Sequence, residues 1–312
     1  MMQFFGKTQI DFLKIRYPAM IVSTAINVIG IAVMLILGFN FGLDFSGGTL
    51  IEVNYKAPAE LTEVRTALDK GGFAGATVQH YGSSRDVLIR LQSHDQGGSA
   101  GLSDKVFQSL SEAAPGQVEL RRVEFVGPQV GKDLAERGGL AILYALVGIL
   151  IYVAIRFEYR YAVGAIIATI HDIIVTAAFF AVFRIEFDLT VLAAILAVLG
   201  YSLNDTIIIY DRIRENFHKV RKGTVIEIVN LSVNDTLSRS IITHGTTFLT
   251  VLSLYLFGGA VVHGFAIAMM VGIIVGTYSS IYVASSAALM LGISRADMLP
   301  VKKEGEALDG LP

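Results

Sequence analysis

The stretch "GYSLNDTIIIYDRIREN", residues 200–216, sets Asn204 and Asp205 inside an apolar run that does not end until Asp211. The run from Leu189 to Tyr210 has the length at which a helix crosses the hydrocarbon core, about 20 residues. If that span reaches Asp211, the Asp205 carboxylate lies about 9 Å inside the boundary at about 1.5 Å per residue. An ionised Asp in that position costs about 2.5–3.5 kcal/mol even on the permissive insertion scale. It must therefore face protein or water, be paired, or carry a proton.

The rest of the chain is of the same kind. Its 312 residues are 53% hydrophobic with a mean hydropathy of +0.60, too apolar for an ordinary soluble domain. A net charge of −2 gives no basic surface for nucleic acid. The absence of cysteine excludes disulfides, thiolate metal sites and cysteine nucleophiles. The opening "MMQFFGKTQIDFLKIRYPAM" lacks the basic end, short apolar stretch and small-residue cleavage site of a secretion signal, so the first apolar run is expected to be a retained anchor.

Six runs are long enough to span: Tyr17–Phe39, Gly138–Ile155, Tyr161–Phe183, Leu189–Tyr210, Ser240–Phe257 and Gly264–Leu291. Basic residues set their orientation. Lys7, Lys14 and Arg16 precede the first run, and Arg156 and Arg160 separate the second from the third. Arg212, Arg214, Lys219, Arg221, Lys222 and Arg239 follow the fourth; Arg295, Lys302 and Lys303 follow the sixth. The short loops on the other side hold only Arg184. This pattern predicts a cytoplasmic N-terminus at 1–16, a first span at 17–39, an outer domain at 40–137 and five further spans over 138–294. A cytoplasmic amphipathic loop at 211–239 and a cytoplasmic tail at 295–312 complete it. In that loop Thr224 and Glu227 have capping-box spacing ahead of Ile226, Val229, Val233 and Leu237, which predicts a helix lying on the membrane surface.

The outer segment reads as a domain of its own. Strand-like "TLIEVNY" (49–55) precedes a helical pattern with Leu61, Val64 and Leu68 on one face, stopped by Gly71-Gly72. "ATVQHY" (76–81) and "DVLIRLQ" (86–92) follow, then an "SHDQGGSAG" loop and a second helix carrying Leu102, Val106, Phe107 and Leu110. Pro115-Gly116 ends it, and "QVELRRVEFVG" (117–127) supplies the last strand. The order β-α-β-β-α-β predicts a ferredoxin-like sandwich. The expected fold is thus an all-α bundle of six transmembrane helices with one extracytoplasmic α+β domain between the first and second.

Arg239 is the candidate partner of Asp205, because it opens the fifth run from the same side. Arg239, Thr243, Thr246 and Thr250 recur at helical spacing, and Ser240, His244 and Thr247 add polarity to that half-span, so a polar stripe is expected to face Asn204 and Asp205. Structural pairing and proton handling stand as equal readings of Asp205, with snorkelling a minor third. His171 and Asp172, in the middle of the third run, carry a structural and a functional reading alike. His244 reads as a packing or hydrogen-bonding residue, and His263 as an outer-surface one. Gly272, Gly276 and Ser280, followed by Ala284, have the four-residue spacing of close helix packing.

Enzyme signatures are missing: no H-E-x-x-H, no G-x-x-x-x-G-K-[ST], and "GYSLN" departs from G-x-S-x-G at its last position. No catalysis, cofactor or metal site is expected.

Five motifs carry a resemblance: "FGLDFSGGTLIEV" (41–53), "HDIIVT" (171–176), the stretch that opens this section, "TLSRSIITHGTTFLT" (236–250) and "GTYSSIYVASSAAL" (276–289). Together they resemble the SecD/SecF family of protein-export membrane proteins, on its SecF side, within the resistance-nodulation-division superfamily. The resemblance runs from the first span to about Ser294. It implies a SecD heterodimer partner, association with the SecYEG channel and YajC, and an unfolded preprotein as cargo, all in the bacterial inner membrane. It also implies that Asp205 is the proton-responsive carboxylate and Arg239 its coupled arginine, with Asn204, His171, Asp172, Thr243 and Thr247 as supporting polar residues. His244 stands where the family pattern leads to a small Ser. A proton crossing about 100 mV releases about 2.3 kcal/mol, enough to bias a two-state element tens of fold. A small-solute exporter of the same superfamily and a passive translocase scaffold are the rival expectations.

Overall fold

Among the described residues, six helices are long and apolar enough to cross a bilayer, and local sequence sets where they begin and end. The computed structural model describes residues 8–91 and 99–294. Lys7, most of the "SHDQGGSAG" loop and the tail with Arg295, Lys302 and Lys303 lie outside the described residues.

Helix α1 (Arg16–Leu37) follows a short 3₁₀ turn and stops at Gly38, whose φ of 64° suits glycine. Helix α5 (Pro128–Arg156) starts with proline in its first turn, where the missing N–H costs nothing. It is followed by α6 (Tyr159–Val182), α7 (Leu189–Lys219), α8 (Val225–Phe257) and α9 (His263–Ser279). The last span runs on from α9 through a π-helical turn at Ser280–Ala284 into α10 (Ser285–Met290). Helices α6, α7 and α9 form the interior, while α1, α5 and α8 flank them. On the flanking helices Leu35, Ile36, Ile155 and Phe257 are 81–85% exposed, a cost in water and a gain in lipid.

Between α1 and α5 lies the α+β domain. A two-residue strand β1 (Asn40–Phe41) and a single turn α2 (Leu43–Ser46) lead into β2 (Gly48–Tyr55). Then come α3 (Leu61–Lys70), β3 (Thr77–Tyr81), β4 (Ser83–Leu91), α4 (Ser99–Ala113) and β5 (Val118–Val126). The sheet order is β3-β4-β2-β5 and every pairing is antiparallel, which is the ferredoxin-like arrangement. Ile51 opposite Ile89 and Val53 opposite Val87 set the register. They face Val64, Leu68, Val106 and Leu110 of the two helices in one apolar core.

The domain is seated on the bundle by contacts that alternation alone could not reveal. Strand β1 pairs in parallel with β6 (Glu186–Phe187), in the α6–α7 connection, as Asn40↔Glu186 and Phe41↔Phe187. Asp44 accepts a hydrogen bond from the Leu189 N–H at 3.0 Å, at the start of α7. Asp188 caps the same helix through Val191 N at 2.9 Å. Arg90 on β4 forms an ion pair with Glu186 and donates to the Phe41 carbonyl at 3.1 Å. Arg184, with φ of 54°, donates to the carbonyls of Leu37 and Gly38 at 2.8 and 2.9 Å, satisfying the open end of α1. That accounts structurally for the one basic residue in the α6–α7 connection.

Two boundaries differ from expectation. Residues 128–137, assigned to the domain, are the first turns of α5. There Gly131 lies so close to α2 that a Cβ would stand 2.7 Å from the Phe45 carbonyl oxygen. Residues 211–239 are not a loop with a surface-lying helix but the end of α7, a short turn and the first half of a continuous α8. Its capping box, Thr224 with Glu227, forms as the spacing predicts. The apolar face found protein instead of lipid: Ile228, Val229 and Val233 pack with Ile213, Phe217 and Leu13, and Asn216 donates to Ser232 at 3.0 Å and to Asp235 at 3.1 Å.

Candidate functional site: buried carboxylates among α6 to α9

Helix α7 turns Val198, Ser202, Asp205, Thr206 and Ile209 inward, the i, i+3, i+4 recurrence of one helical face. Asp205 is 1% exposed. Its Oδ1 accepts a hydrogen bond from Ser240 Oγ on α8 at 2.6 Å and lies 3.9 Å from His244 Nε2. Its Oδ2 is buried without a hydrogen-bond partner. His244 is itself buried, its Nδ1 hydrogen-bonded to Thr277 Oγ1 on α9. The Tyr201 ring lies 5.1 Å from the imidazole, and its hydroxyl is within hydrogen-bond distance of the Thr243 carbonyl at 3.0 Å and of Thr247 Oγ1 at 3.1 Å.

Arg239 does not pair with Asp205. It is exposed, and among the described residues it has no ion-pair partner. Each residue along a helix turns the side chain by about 100°, so α8 can offer Asp205 either Ser240 or Arg239. Packing of Ser240, His244 and Val251 into the chain chooses Ser240. The stripe of Arg239, Thr243, Thr246 and Thr250 consequently does not reach Asp205. The hydroxyls of Thr243, Thr246 and Thr250 satisfy themselves on carbonyls one turn back, at 2.9–3.0 Å. Asn204 is likewise exposed, so it too lies off the face that carries Asp205.

Asp172 forms a second centre. It is 0% exposed and joins three helices: Oδ2 accepts from Ser202 Oγ on α7 at 2.5 Å and from Ser279 Oγ on α9 at 2.8 Å. Oδ1 faces His171 Nδ1 at 3.0 Å. Ser202 and Ser279 were missed in the sequence, where the signal was a small hydroxyl residue at similar depth on each neighbouring run. Gly272 and Gly276 make the approach of α7 to α9 possible. A Cβ on Gly272 would stand 2.2 Å from Val198 Cγ2, and one on Gly276 would stand 3.1 Å from Ser202 Oγ.

At the domain's entrance Gly47 and Gly48 have φ of 68° and 129°, a backbone that side chains resist. A Cβ on Gly48 would meet the Leu91 carbonyl oxygen at 2.4 Å. Residues 32–59, which contain this pair, match the family profile described as "SecD/SecF GG Motif". Residues 105–294, from the second helix of the domain through the last span, match "Protein export membrane protein SecD/SecF, C-terminal".

The chain belongs to the SecD/SecF family.

Its relatives in the family agree over nearly the whole length. "Protein translocase subunit SecF" of Vibrio alginolyticus is 53% identical over 275 residues, covering 88% of this chain and 87% of the relative. The protein of the same name from Escherichia coli O157:H7 is 46% identical over 305 residues, 97% and 94% of the two chains. Among solved structures, SecDF of Thermus thermophilus, described as a translocon-associated membrane protein, superposes with a TM-score of 0.81 at 33% identity. The match takes in 91% of this chain and 39% of that one, so the SecDF chain extends well beyond the part this chain resembles. A SecDF structure in a super-membrane-facing form gives a TM-score of 0.70 at 32% identity over 92% of this chain and again 39% of that one. The two centres at Asp172 and Asp205 both fall within the SecD/SecF C-terminal match.

Proposed function

We propose that this chain is the SecF-type subunit of a protein translocase and that it uses protons passing through Asp205 to promote export. The single observation that carries the coupling is the state of that side chain. A carboxyl 1% exposed, deep in a membrane-crossing helix, has one short hydrogen bond and one free oxygen. Such a group is costly when charged, so whether it carries a proton changes how α7 and α8 attract one another. Ordinary packing would have been served better by an apolar residue.

The partner is a SecD-type subunit, a reading supported by the SecDF structures and by the polar groups left on the outer surface. Arg239, Asn204, Thr246 and Thr250 are exposed in the membrane-crossing helices, where polar groups are expensive against lipid. A second polar subunit face covers them in this reading, and Arg239 then acts in proton coupling across the subunit boundary rather than within this chain. His171, Asp172, Thr243 and Thr247 support the site by fixing the helices around it. The complex serves the SecYEG channel with YajC and acts on an unfolded preprotein. It lies in the inner membrane with both termini cytoplasmic and the α+β domain periplasmic, as the placement of basic residues favours. The domain's seat on the start of α7, through Asp44 and Glu186, is the route by which a shift of that helix reaches the cargo. The chain itself carries out no catalysis.

The test is Asp205→Asn in cells that make and assemble the complex normally. Proton-dependent export is expected to fall to the level without the subunit. Undiminished export in that variant would leave a passive scaffold as the better reading.

A further inference from the structure

We infer that His244 is a second proton carrier, sharing one proton with Asp205 and drawing α8 toward α7 when that proton is present. This rests on the proposed role of Asp205 and adds a second residue to it.

The hydrogen bonds bear on the form of the imidazole. Thr277 Oγ1 has one hydrogen, and the Ile273 carbonyl one turn back lies 2.7 Å from it. The same oxygen is also bonded to His244 Nδ1. With that hydrogen kept on the carbonyl, the oxygen accepts from Nδ1, which is then the nitrogen that carries hydrogen. In the neutral ring Nε2 is then bare, and it is Nε2 that faces Asp205 Oδ1. Two bare acceptors give no attraction across that gap. One proton between them gives a strong one, as a carboxylic acid donating to Nε2 or as a carboxylate accepting from an imidazolium.

The 3.9 Å separation is about 1 Å longer than such a bond. It fits the arrangement without the shared proton, so adding one draws the two helices together by about that much. In the transfer itself the proton leaves Asp205 Oδ1 for His244 Nε2, producing carboxylate and imidazolium, and returns by the reverse step. No other species is needed.

Few other groups compete. On α7 the titratable neighbours of His244 are Asp205 and Tyr201, and the Tyr201 hydroxyl is committed to Thr243 and Thr247. On α9 the facing group is Thr277, which does not titrate, while the Tyr278 hydroxyl is bonded to Ala19 and Ser23 of α1. On α6, His171 and Asp172 are bonded to each other, and Asp172 to Ser202 and Ser279. On α8 itself the nearest charge is Arg239, which is exposed.

Two measurements on the full chain, assembled with its partner in lipid vesicles, test this. Nitrogen NMR of ¹⁵N-histidine protein, with His244→Asn used to assign the signal, should find neutral His244 protonated on Nδ1 and bare on Nε2. The opposite tautomer overturns the inference. The pH profile of proton-driven export should move to lower pH by about one unit, a tenfold change, in both His244→Asn and His244→Ser, because the proton is then held by one group instead of two. Unmoved profiles in the two variants overturn the role of His244 while leaving that of Asp205 intact. An active Asp205→Asn chain overturns both readings.

Discussion

Ser240 on α8 donates to Asp205 on α7 across 2.6 Å, whereas Arg239, its neighbour in sequence, is exposed and not bonded to that carboxyl. Of the two residues that compete for the role of partner, one thus lies inside the chain and the other on its surface.

A split in phenotype follows. In the chain purified alone, Ser240→Ala should lower stability by about 1–3 kcal/mol, since it leaves a buried carboxyl without its donor. Arg239→Ala should change stability by less than about 0.5 kcal/mol, as expected of an exposed site. In the assembled complex the order reverses for export, with Arg239→Ala the more damaging. Denaturation of the isolated chain in detergent, set beside export rates in vesicles, checks both halves. A large stability loss from Arg239→Ala alone would mean that it is bonded within the chain after all.

The approach of α7 to α9 depends on Gly272. A methyl group there would stand 2.2 Å from Val198 Cγ2, and Val198 is itself buried, so neither helix can yield without repacking. Gly272→Ala should cost about 1–3 kcal/mol. Val198→Ala in the same chain removes both clashing methyl groups, so the pair should be more stable than the sum of the single changes. A double-mutant cycle reads this coupling, and additive losses would place the strain elsewhere.

How far the sequence was legible depends on the range of the interaction. The six spans and the β-α-β-β-α-β order rest on composition and periodicity, which are local, and both could be read directly. The position of Asp205 in a span was legible for the same reason. Its partner was not, because α8 carries two polar stripes at helical spacing, one through Arg239 and Thr243 and one through Ser240 and His244. Only packing against α7 and α9 decides which is inside. The surface-lying helix was misread similarly: amphipathy reports that an apolar face must be covered, and not whether lipid or Ile213 and Phe217 will cover it. The β1–β6 pairing, two residues long, and the cap from Asp44 to Leu189 join distant positions and leave no periodic trace.

Glu186 makes the seat of the α+β domain sensitive to pH. Burial pushes its carboxyl above the ordinary value of 4.5, with the charge of Asp188 and Asp44 adding to the rise and Arg90 opposing it. The ion pair alone would argue for the opposite direction; removal from water is the larger effect. A folded carboxyl that holds its proton more tightly than the unfolded one contributes stability present below pH 4.5 and lost as pH rises through the raised value. Wild-type melting temperature should therefore decline across that interval, and Glu186→Gln, which cannot ionise, should show a flatter profile. Parallel profiles for the two proteins would exclude Glu186 as the source.

Asp172 gives the last prediction, which separates structure from proton handling at the second centre. Its carboxylate receives hydroxyls from α7 and α9 and faces His171 on its own helix, in a site from which water is shut out. Asp172→Ala leaves Ser202 and His171 without their acceptor; Ser279 keeps a second one in the Gly276 carbonyl at 3.2 Å. Each abandoned buried group costs about 1–3 kcal/mol, so a loss of about 3 kcal/mol is expected, with the packing of α6 on α7 most affected. Asp172→Asn keeps the shape and one acceptor oxygen and should lose less than half as much. If Asp172 serves structure, export by the Asn variant follows its stability and recovers at lower temperature. Export that stays abolished in a well-folded Asn variant would instead assign this carboxyl to the proton path beside Asp205.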